Sequence, residues 1–294
     1  MVYNVSKGGK GAEIMAEKTG TRYINGIIQY HHEVTKHPNP NDFKMHAHDA
    51  CELFFFIGGN ASYNVEGSVY ALQKHDILIM RPCETHRLQV EPDCAYERMS
   101  VHFSPSIICD NFSENWLRPF YRRGLGRMNL YRAADFSSDH YMSCINTIIS
   151  CIDSGDPDER ITAALISLIM EICGAFDKKD ESLFCENDMD ISVKFVDYIN
   201  RHLFEQINLE SLAAEFYISS SQLERVFKRS IGTPVWEYII IKRLMSARNM
   251  LSDGYSAQIA AQRCGFSDYS AFYRAYKKQF GTSPKNDCKK NKKV

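Results

Sequence analysis

The chain has 294 residues, of which 44% are hydrophobic and 24% are charged, and its formal net charge is −1. The length allows two domains with separate cores, and the composition is that of a globular protein rather than a fibrous or low-complexity one. The charge is unevenly divided. Residues 191–294 contain 17 lysines and arginines against 9 aspartates and glutamates, a net charge of +8, whereas residues 1–190 carry −9. A basic C-terminal third favours a module that binds a polyanion.

The ten cysteines are scattered and form no CxxC pair. The first twenty residues are rich in lysine and glycine and lack an apolar run, so we expect no signal peptide. Both features predict a reduced, cytoplasmic setting. The most apolar helix candidate, Ile161–Phe176, is interrupted by polar residues and is too short to span a bilayer, so we expect no membrane partner.

The region from about Thr21 to Ser104 shows short strand patterns separated by turn signals. The turns are Gly58-Gly59-Asn60, Glu66-Gly67 and Lys74-His75-Asp76. Closely spaced strands without helical patterns between them predict a small antiparallel barrel or sandwich. The clearest strands are Cys51–Ile57, Ala61–Val65, Ile77–Met80 and Arg98–Phe103.

Residues 137–175 read as helices. Ile161, Leu165, Leu168 and Ile172 recur at helical spacing and form an apolar stripe. The stripe has two interpretations, which are packing against the barrel and pairing with the same helix of a second copy, and both remain open. Residues 177–190 are charged and without a periodic pattern, which is typical of a linker.

From Ile191 onward the chain is predicted to be helical throughout. Each helix begins after a capping residue, and Gly232 suits the left-handed position after the third. The predicted caps and helices are Ser192 with Val193–Glu205, Asn208 with Leu209–Phe216, Ser219 and Gln222 with a helix to Ile231, Pro234 with Val235–Leu251, Ser256 with Ala257–Arg263, and Asp268 with a helix to Phe280.

A similar sequence motif occurs twice in this region, as residues 223–232 and again as residues 272–281. Arg225 matches Arg274, and Gly232 matches Gly281. Each copy completes a helix–turn–helix pattern, and two basic units in tandem predict two reading heads on one DNA duplex. A rigid connection would place the heads in adjacent major grooves, about 34 Å apart.

The second helix of each unit should enter the major groove, so that residues near its N-terminus face base edges. Residues further along are placed for phosphates. The alternative for Arg225 and Arg274 is a surface salt bridge. The predicted base-facing residues are Ser219, Ser221, Glu224, Arg225, Tyr269, Ser270, Tyr273 and Arg274, and the predicted phosphate contacts are Lys228, Arg229, Lys277 and Lys278.

A second constellation lies in the strand region. His46 and His48 alternate on one strand face, Glu52 follows, and His86 comes on a later strand pair. These four residue types suit Zn, Fe or Mn. The same residues could instead line a pocket or be hydrogen-bonded at a barrel rim. Three further residues, Tyr96, Arg98 and His102, share one face of a late strand and are weaker candidates for the interior.

The segment from Ile191 to Pro284 resembles the DNA-binding domain of the AraC/XylS family of bacterial transcription regulators. The resemblance lies in Ile241–Leu251, Ile259–Asp268 and Ser270–Pro284, and it covers a third of the chain. The family usually has an aromatic–arginine pair after its last proline, where this chain has Asn286-Asp287. A lysine-rich tail, Lys289–Lys293, follows and is predicted to meet phosphate.

The N-terminal spacings resemble the two cupin motifs, so the strand region looks like the cupin-type sensor domain of that family. The resemblance implies an α+β multidomain protein, with a cupin-like β-barrel over residues 1–136, a helical dimerisation and linker region over 137–190, and an all-α tandem helix–turn–helix domain over 191–294. It also implies a transcription regulator, usually an activator, with no enzymatic activity. Its expected partners are double-stranded promoter DNA, RNA polymerase and a second copy in a homodimer.

Sensor domains of this kind usually resemble metal-free pockets for a small-molecule effector, often a sugar. No cofactor is therefore implied, although the residue types keep a divalent metal open. The alternative function is a metal-dependent cupin enzyme, such as a dioxygenase or isomerase, fused to a DNA-binding domain. The expected effector-binding residues are His46, His48, Glu52, His86, Arg98 and His102.

Overall fold

The computed structural model describes residues 3–4, 18–24, 28–110, 112–179 and 191–290. Backbone contacts divide the chain into two compact units. The first is formed by most of the residues before position 189, and the second by the residues after it together with Met45–Asp49 and Cys83–Arg87. The first unit contains two β-sheets and a layer of helices, and the second is helical. The predicted succession of a β-rich domain and an all-α domain is therefore confirmed.

The strands of the first unit form a seven-stranded sheet of order β1-β2-β3-β9-β4-β7-β10 and a three-stranded sheet of order β6-β5-β8. The four predicted strands are confirmed, with ends shifted by no more than two residues. The bounds are β1 (Tyr3–Asn4), β2 (Lys18–Ile24), β3 (Ile28–Thr35), β4 (Cys51–Gly58), β5 (Ala61–Val65), β6 (Ser68–Ala71), β7 (Ile77–Met80), β8 (His86–Val90), β9 (Tyr96–Phe103) and β10 (Leu130–Tyr131).

The central strand β4 is buried on both faces. Leu53 and Phe55 belong to the hydrophobic cluster that includes the helices of this unit, and Phe54 and Phe56 belong to a second cluster between the sheets. Because both faces are covered, the stretch Leu53–Ile57 of β4 is a continuous apolar run rather than an alternating one. It pairs antiparallel with both β7 and β9.

The predicted turn at Glu66-Gly67 is a two-residue hairpin loop, since Val65 pairs directly with Ser68. Both turn residues are left-handed, with φ of 48° and 91°. Such loops match the right-handed twist of the strands they join. The turn therefore fixes the register between β5 and β6.

Two long helices, α3 (His140–Ser154) and α4 (Asp158–Lys178), follow two short ones, α1 (Ser106–Cys109) and α2 (Arg118–Tyr121). The predicted stripe on α4 is fully buried in one cluster with residues of α3, β3, β4 and β9. Packing within the unit is therefore confirmed. Pairing of two copies stays a prediction, and it would have to use another face of the helix layer.

The second unit consists of seven helices in the described residues. The predicted caps are confirmed at Asn208, Ser219, Ser256 and Asp268, whose side chains accept hydrogen bonds from amides of the first helical turn. The predicted cap at Ser192 is wrong, because α5 begins at Ile191 and Ser192 is therefore its second residue. The bounds are α5 (Ile191–Arg201), α6 (Leu209–Glu215), α7 (Ser220–Ile231), α8 (Val235–Ser252), α9 (Ala257–Arg263), α10 (Tyr269–Phe280) and α11 (Pro284–Lys290).

Two features of this unit differ from the predictions. The helix α5 ends at Arg201, four residues early, because the carbonyls of Leu203 and Glu205 accept hydrogen bonds from Arg243. The unpredicted helix α11 follows Pro284, and its Asp287 accepts a hydrogen bond of 2.8 Å from the Tyr276 hydroxyl. Residues 291–294 of the lysine-rich tail lie outside the described residues.

The described helices include none that is both long enough and apolar enough to cross a lipid bilayer.

The packing of α4 makes a testable prediction about stability. We expect Leu165→Ala to lower the free energy of unfolding of the first unit by about 2–5 kcal/mol, because a fully buried side chain is removed and a cavity remains. Met170, on the same helix, is 45% exposed, and Met170→Ala should change the free energy by less than about 0.5 kcal/mol. Thermal unfolding followed by circular dichroism would measure both, and equal losses would contradict the packing of the stripe.

Candidate DNA interface and ligand site

The recognition helices α7 and α10 each have a buried face and an exposed basic face. Leu223, Phe227 and Ile231 of α7 are buried, as are Phe272 and Tyr276 of α10. Eleven of the twelve predicted DNA-contacting residues are exposed. The first helix of each unit, α6 or α9, packs beside its recognition helix. The structure therefore brings the predicted residues to one face of each recognition helix and leaves them open to a ligand.

Arg225 and Arg274 form no close ion pair in the described residues, although the charge of Arg274 helps to lower the pKa of Asp268. Within the part of the chain that the structure describes, neither guanidinium forms an ion pair, whereas Arg201 pairs with Asp197 at 3.1 Å. The salt-bridge alternative for these two arginines is therefore absent from the described contacts. Their role in reading DNA bases remains a prediction.

Glu224 is half-buried, and one of its carboxylate oxygens accepts a hydrogen bond of 3.3 Å from the Val235 amide. Val235 is the first residue of α8, where backbone amides have no partner within the helix. Glu224 therefore caps the helix that follows it. Contact with a base would have to come from its second oxygen.

Serine and aspartate caps leave different groups for DNA. The Ser219 hydroxyl oxygen accepts from the Gln222 amide and keeps its own proton for donation. Asp268 accepts from the amides of Ser270 and Ala271 at 3.0 and 2.9 Å, and these bonds hold its pKa below the ordinary value. The first head thus begins with a donor, and the second begins with a charged carboxylate.

Polar side chains lie on one face of the seven-stranded sheet in the first unit. This face, which we call the inner face, points away from the helix layer. On β9, Met99, Val101 and Phe103 face the helical cluster, so Arg98, Ser100 and His102 point the other way. Glu52 lies opposite His102 in the register, with 3.5 Å between Oε2 of Glu52 and Nε2 of His102. The predicted interior residues Arg98 and His102 and the predicted ligand Glu52 are therefore brought together.

Arg98 is anchored by two neighbours. It donates a hydrogen bond of 2.7 Å to the Ser100 hydroxyl and lies 3.8 Å from Glu33, its register partner on β3. Its charge is thus balanced by a carboxylate of the same protein. An anionic ligand would have to compete with Glu33 for this guanidinium.

His31 of β3 reaches the same cluster, with its ring centroid 5.8 Å from that of His102. Burial, assisted by the charge of Arg22, lowers the pKa of His31 to about 4, so the imidazole is neutral at pH 7. Its Nε2 atom is buried without a hydrogen-bond partner among the described residues. A ligand group that hydrogen-bonds this atom would relieve a cost of desolvation.

His31, Glu33 and Tyr63 were missed by the sequence analysis. Tyr63 lies close enough to Glu52 for the carboxylate to raise its pKa, although burial is the larger cause. The signal for His31 and Glu33 was available, because Ile28 and Tyr30 alternate with polar residues along β3. The register that pairs β3 with β9 could not be predicted from one sequence.

Three of the four predicted metal ligands, His46, His48 and His86, belong to the second compact unit. Their ring centroids lie 4.3 to 6.4 Å apart, and His46 is exposed. Nδ1 of His86 lies 2.8 Å from the carbonyl oxygen of Glu84. Glu52 belongs to the first unit, where it lies beside His102.

Glu52 and His102 are donor types that suit Zn, Fe or Mn, and Oε2 of Glu52 lies 3.5 Å from Nε2 of His102. Binding of a metal by these two side chains stays a prediction.

Comparison with known proteins matches both units to protein families. Residues 34–135 match the AraC-like ligand binding domain, and residues 212–289 match a helix-turn-helix domain. The first segment contains Glu52, Arg98 and His102 of the polar inner face, whereas His31 and Glu33 precede it. The second contains both recognition helices.

Similar proteins are transcription regulators by name. The chain is 28% identical over 248 residues to the HTH-type transcriptional activator RhaS of Escherichia coli, covering 83% of this chain and 87% of that one. It is 31% identical over 111 residues to the probable transcriptional regulator LumQ of Photobacterium leiognathi, which spans 36% of this chain and 44% of LumQ. ToxT of Vibrio cholerae aligns over 92% of this chain and all of its own, with 13% identity and a TM-score of 0.38.

The hydrogen bond from the Val235 amide predicts a structural role for Glu224 that is independent of DNA. We expect Glu224→Ala to destabilise the second unit by about 0.5–2 kcal/mol, as the loss of a helix cap does. Glu224→Gln keeps an acceptor oxygen and should lose less, and Ser221→Ala, at an exposed position of the same helix, should lose little. Thermal unfolding without DNA measures these differences, and an unchanged midpoint for Glu224→Ala would contradict the cap.

Proposed function

This chain belongs to the AraC family of DNA-binding transcription regulators, with a ligand-binding domain and a helix-turn-helix domain, and we propose that it activates transcription when a small-molecule effector binds. The observation that carries the proposal is the pair of exposed basic recognition helices. Since the family consists of transcription regulators and is not an enzyme family, a cupin enzyme with a DNA-binding tail is not retained. The activator role is supported by the name of RhaS.

The two heads would read different sequences. Arg225 and Arg274 each offer two donors to a guanine, whereas Glu224 in the first head corresponds to Tyr273 in the second. The lysines and the remaining arginine further along the helices would bind phosphate and set the register on the duplex. One protomer would therefore recognise a directional site with two unlike half-sites.

The effector would bind at the inner face of the large sheet. Arg98 is balanced by Glu33, His31 is neutral at pH 7, and Glu52 adds a further negative charge. Neutral donors and acceptors next to carboxylates favour an uncharged ligand with several hydroxyl groups, such as a sugar. A divalent ion bound by Glu52 and His102 is the second candidate occupant, and it would add positive charge and a Lewis acid to the site.

Activation requires that the effector bind one state of the protein better than another. In our proposal the active state is a homodimer on promoter DNA that contacts RNA polymerase, an activity expected in the cytoplasm. The dimer would use a face of the helix layer other than the buried stripe on α4.

The role of the recognition helices is tested by removing one arginine at a time. We expect Arg225→Ala and Arg274→Ala each to weaken binding to the preferred duplex by about 1–3 kcal/mol, because a bidentate contact to a base is lost. Binding to random duplex should fall much less. Fluorescence anisotropy at one fixed salt concentration measures both affinities.

Arg201→Ala serves as the control, since it removes the same charge from an exposed site on α5. An equal loss on preferred and random DNA for Arg225→Ala or Arg274→Ala would assign these arginines to phosphate. A loss no larger than that of the control would remove them from the interface.

The effector site is tested by thermal shift with a panel of monosaccharides. We expect at least one sugar to raise the unfolding midpoint of the wild-type protein and not that of Glu52→Gln, because a ligand stabilises the state that binds it. Glu91→Gln, which changes an exposed carboxylate of the same unit, should respond like wild type. If no sugar acts and the protein carries a stoichiometric metal that Glu52→Gln loses, the pocket belongs to the metal.

A further inference from the structure

Arg243 lies in the middle of α8 and is almost completely buried. Its Nε and Nη2 atoms donate to the carbonyl oxygens of Leu203 and Glu205, at 2.8 and 2.7 Å, in the loop between α5 and α6. Its Nη1 atom donates to the carbonyl oxygen of Gly265, at 2.8 Å, in the turn between α9 and α10. One guanidinium therefore joins the loop that precedes the first helix–turn–helix unit to the turn within the second.

The two joined segments also touch each other. Gly265 has φ of +80°, and a Cβ atom built there would lie 2.9 Å from Cζ of Arg243 and 3.1 Å from the carbonyl oxygen of Phe204. Glycine is the residue that permits both this backbone conformation and this close approach. The turn of the second head thus rests against the loop of the first, with the guanidinium beside the contact.

Burial of a charged side chain carries a large desolvation free energy, which its hydrogen bonds must offset. Burial lowers the pKa of Arg243, and apolar residues of similar volume often stabilise a protein as well as a buried ion does. The planar guanidinium, however, fixes the directions of several hydrogen bonds at once. Three carbonyls from two segments accept hydrogen bonds from one guanidinium here, which is geometric control that an apolar side chain does not supply.

The hydrophobic contacts of the two heads lie in separate clusters. Phe227 packs with Tyr238 near the start of α8, and Tyr276 packs in another cluster with Leu251 near its end. Small cores joined by one helix can rotate relative to each other if that helix bends or twists. The bonds of Arg243 oppose that rotation, because they hold loops of both heads to the same point of α8.

We propose that Arg243 is a positioning residue that sets the distance and angle between the two recognition helices, and so the half-site spacing that the protein accepts. The inference rests on the proposed reading of DNA by both heads. It adds that selectivity for spacing comes from a residue that touches no DNA. A change at Arg243 should therefore alter the preference for spacing rather than the preference for bases.

The test uses the full chain and a duplex selected from random DNA by the wild-type protein. Further duplexes have one base pair inserted or deleted between the half-sites, which moves one half-site by about 3.4 Å and turns it by about 35°. Wild type should bind the shifted duplexes at least about tenfold more weakly, because one head loses its base contacts. For Arg243→Lys, which keeps the charge but not the planar fork, this ratio should fall to about twofold.

The ratio between two duplexes does not depend on the fraction of protein that is folded, so partial unfolding of Arg243→Lys cannot imitate the result. Arg201→Lys makes the same change at an exposed position and should keep the wild-type ratio. An unchanged ratio for Arg243→Lys would overturn the inference. So would a complete loss of binding to every duplex, including one with a single half-site, because Arg243 would then support the fold as a whole.

Gly265→Ala disturbs the same contact from the other side and leaves Arg243 in place. It should also flatten the dependence on spacing, and a wild-type ratio for this variant would contradict the inference. The outcome is separable from the reading of bases. If Arg225→Ala and Arg274→Ala lose no specificity, the proposed function fails, whereas a spacing preference unaffected by Arg243→Lys and Gly265→Ala removes this inference alone.

Discussion

Neither helix–turn–helix can bury a core without the helix between them. Each consists of a seven-residue helix and a twelve-residue helix, far below the size at which a domain folds alone. The 18-residue α8, about 27 Å long, supplies apolar side chains to both. Its first half packs with α7 and its second half with α10. The contacts that fold each helix–turn–helix unit thus also attach it to α8.

This constraint explains why the basic faces are open. Once Leu223, Phe227 and Ile231 are committed to the core, the remaining side of α7 carries Arg225 and its neighbours outward. The same holds for α10, where Phe272 and Tyr276 are buried. Since an amphipathic helix has one apolar face, burial of that face determines which residues a duplex can reach.

In the first unit, burial of one strand face likewise determines which residues lie on the other face. Strands β3, β4 and β9 place one set of alternate residues against α3 and α4 and the other set on the inner face. Val101 and His102 are neighbours in the chain but face opposite layers, so the helix layer and the polar cluster share the same strands. Any effector that moves β9 would act on both layers at once.

Local patterns predicted most of the elements. Caps such as Asn208 and Asp268 are short-range signals, and the helices that follow them begin where expected. The strands of the sensor unit are also local, since β-branched and aromatic runs end at turn residues. The exposed residues of the recognition helices followed from helix periodicity alone, although their contact with DNA is not tested by the fold.

Predictions failed where contacts between distant segments decide the outcome. The helix α5 ends early because Arg243, some forty residues later, takes its loop carbonyls. Glu224 caps α8 through a contact across eleven residues, which no helix pattern indicates. The cluster of Glu52 with His102 depends on strand register, and register is set by the pairing of whole strands.

Equivalent positions of the two repeated segments do not all have the same role. Several positions that match between the copies pack or end a helix, such as Phe227 with Tyr276 and Gly232 with Gly281, both of the latter being left-handed. Arg225 and Arg274 match as well, at exposed positions. Glu224 and Tyr273 occupy equivalent positions, but Glu224 caps the spacer helix that follows its own unit. The copies therefore differ partly because the first is followed by α8.

The difference between the two helix–turn–helix units makes the protomer asymmetric along the DNA axis that we propose it follows. A chain with two identical heads joined by a straight helix would still present them unequally, because α8 leaves the first head and enters the second. Unlike residues at the exposed N-terminal turns add a second asymmetry in the base-facing groups. The two asymmetries act together, because the spacer fixes the order of the heads and the side chains distinguish them. A site read by one protomer would then be oriented along the DNA.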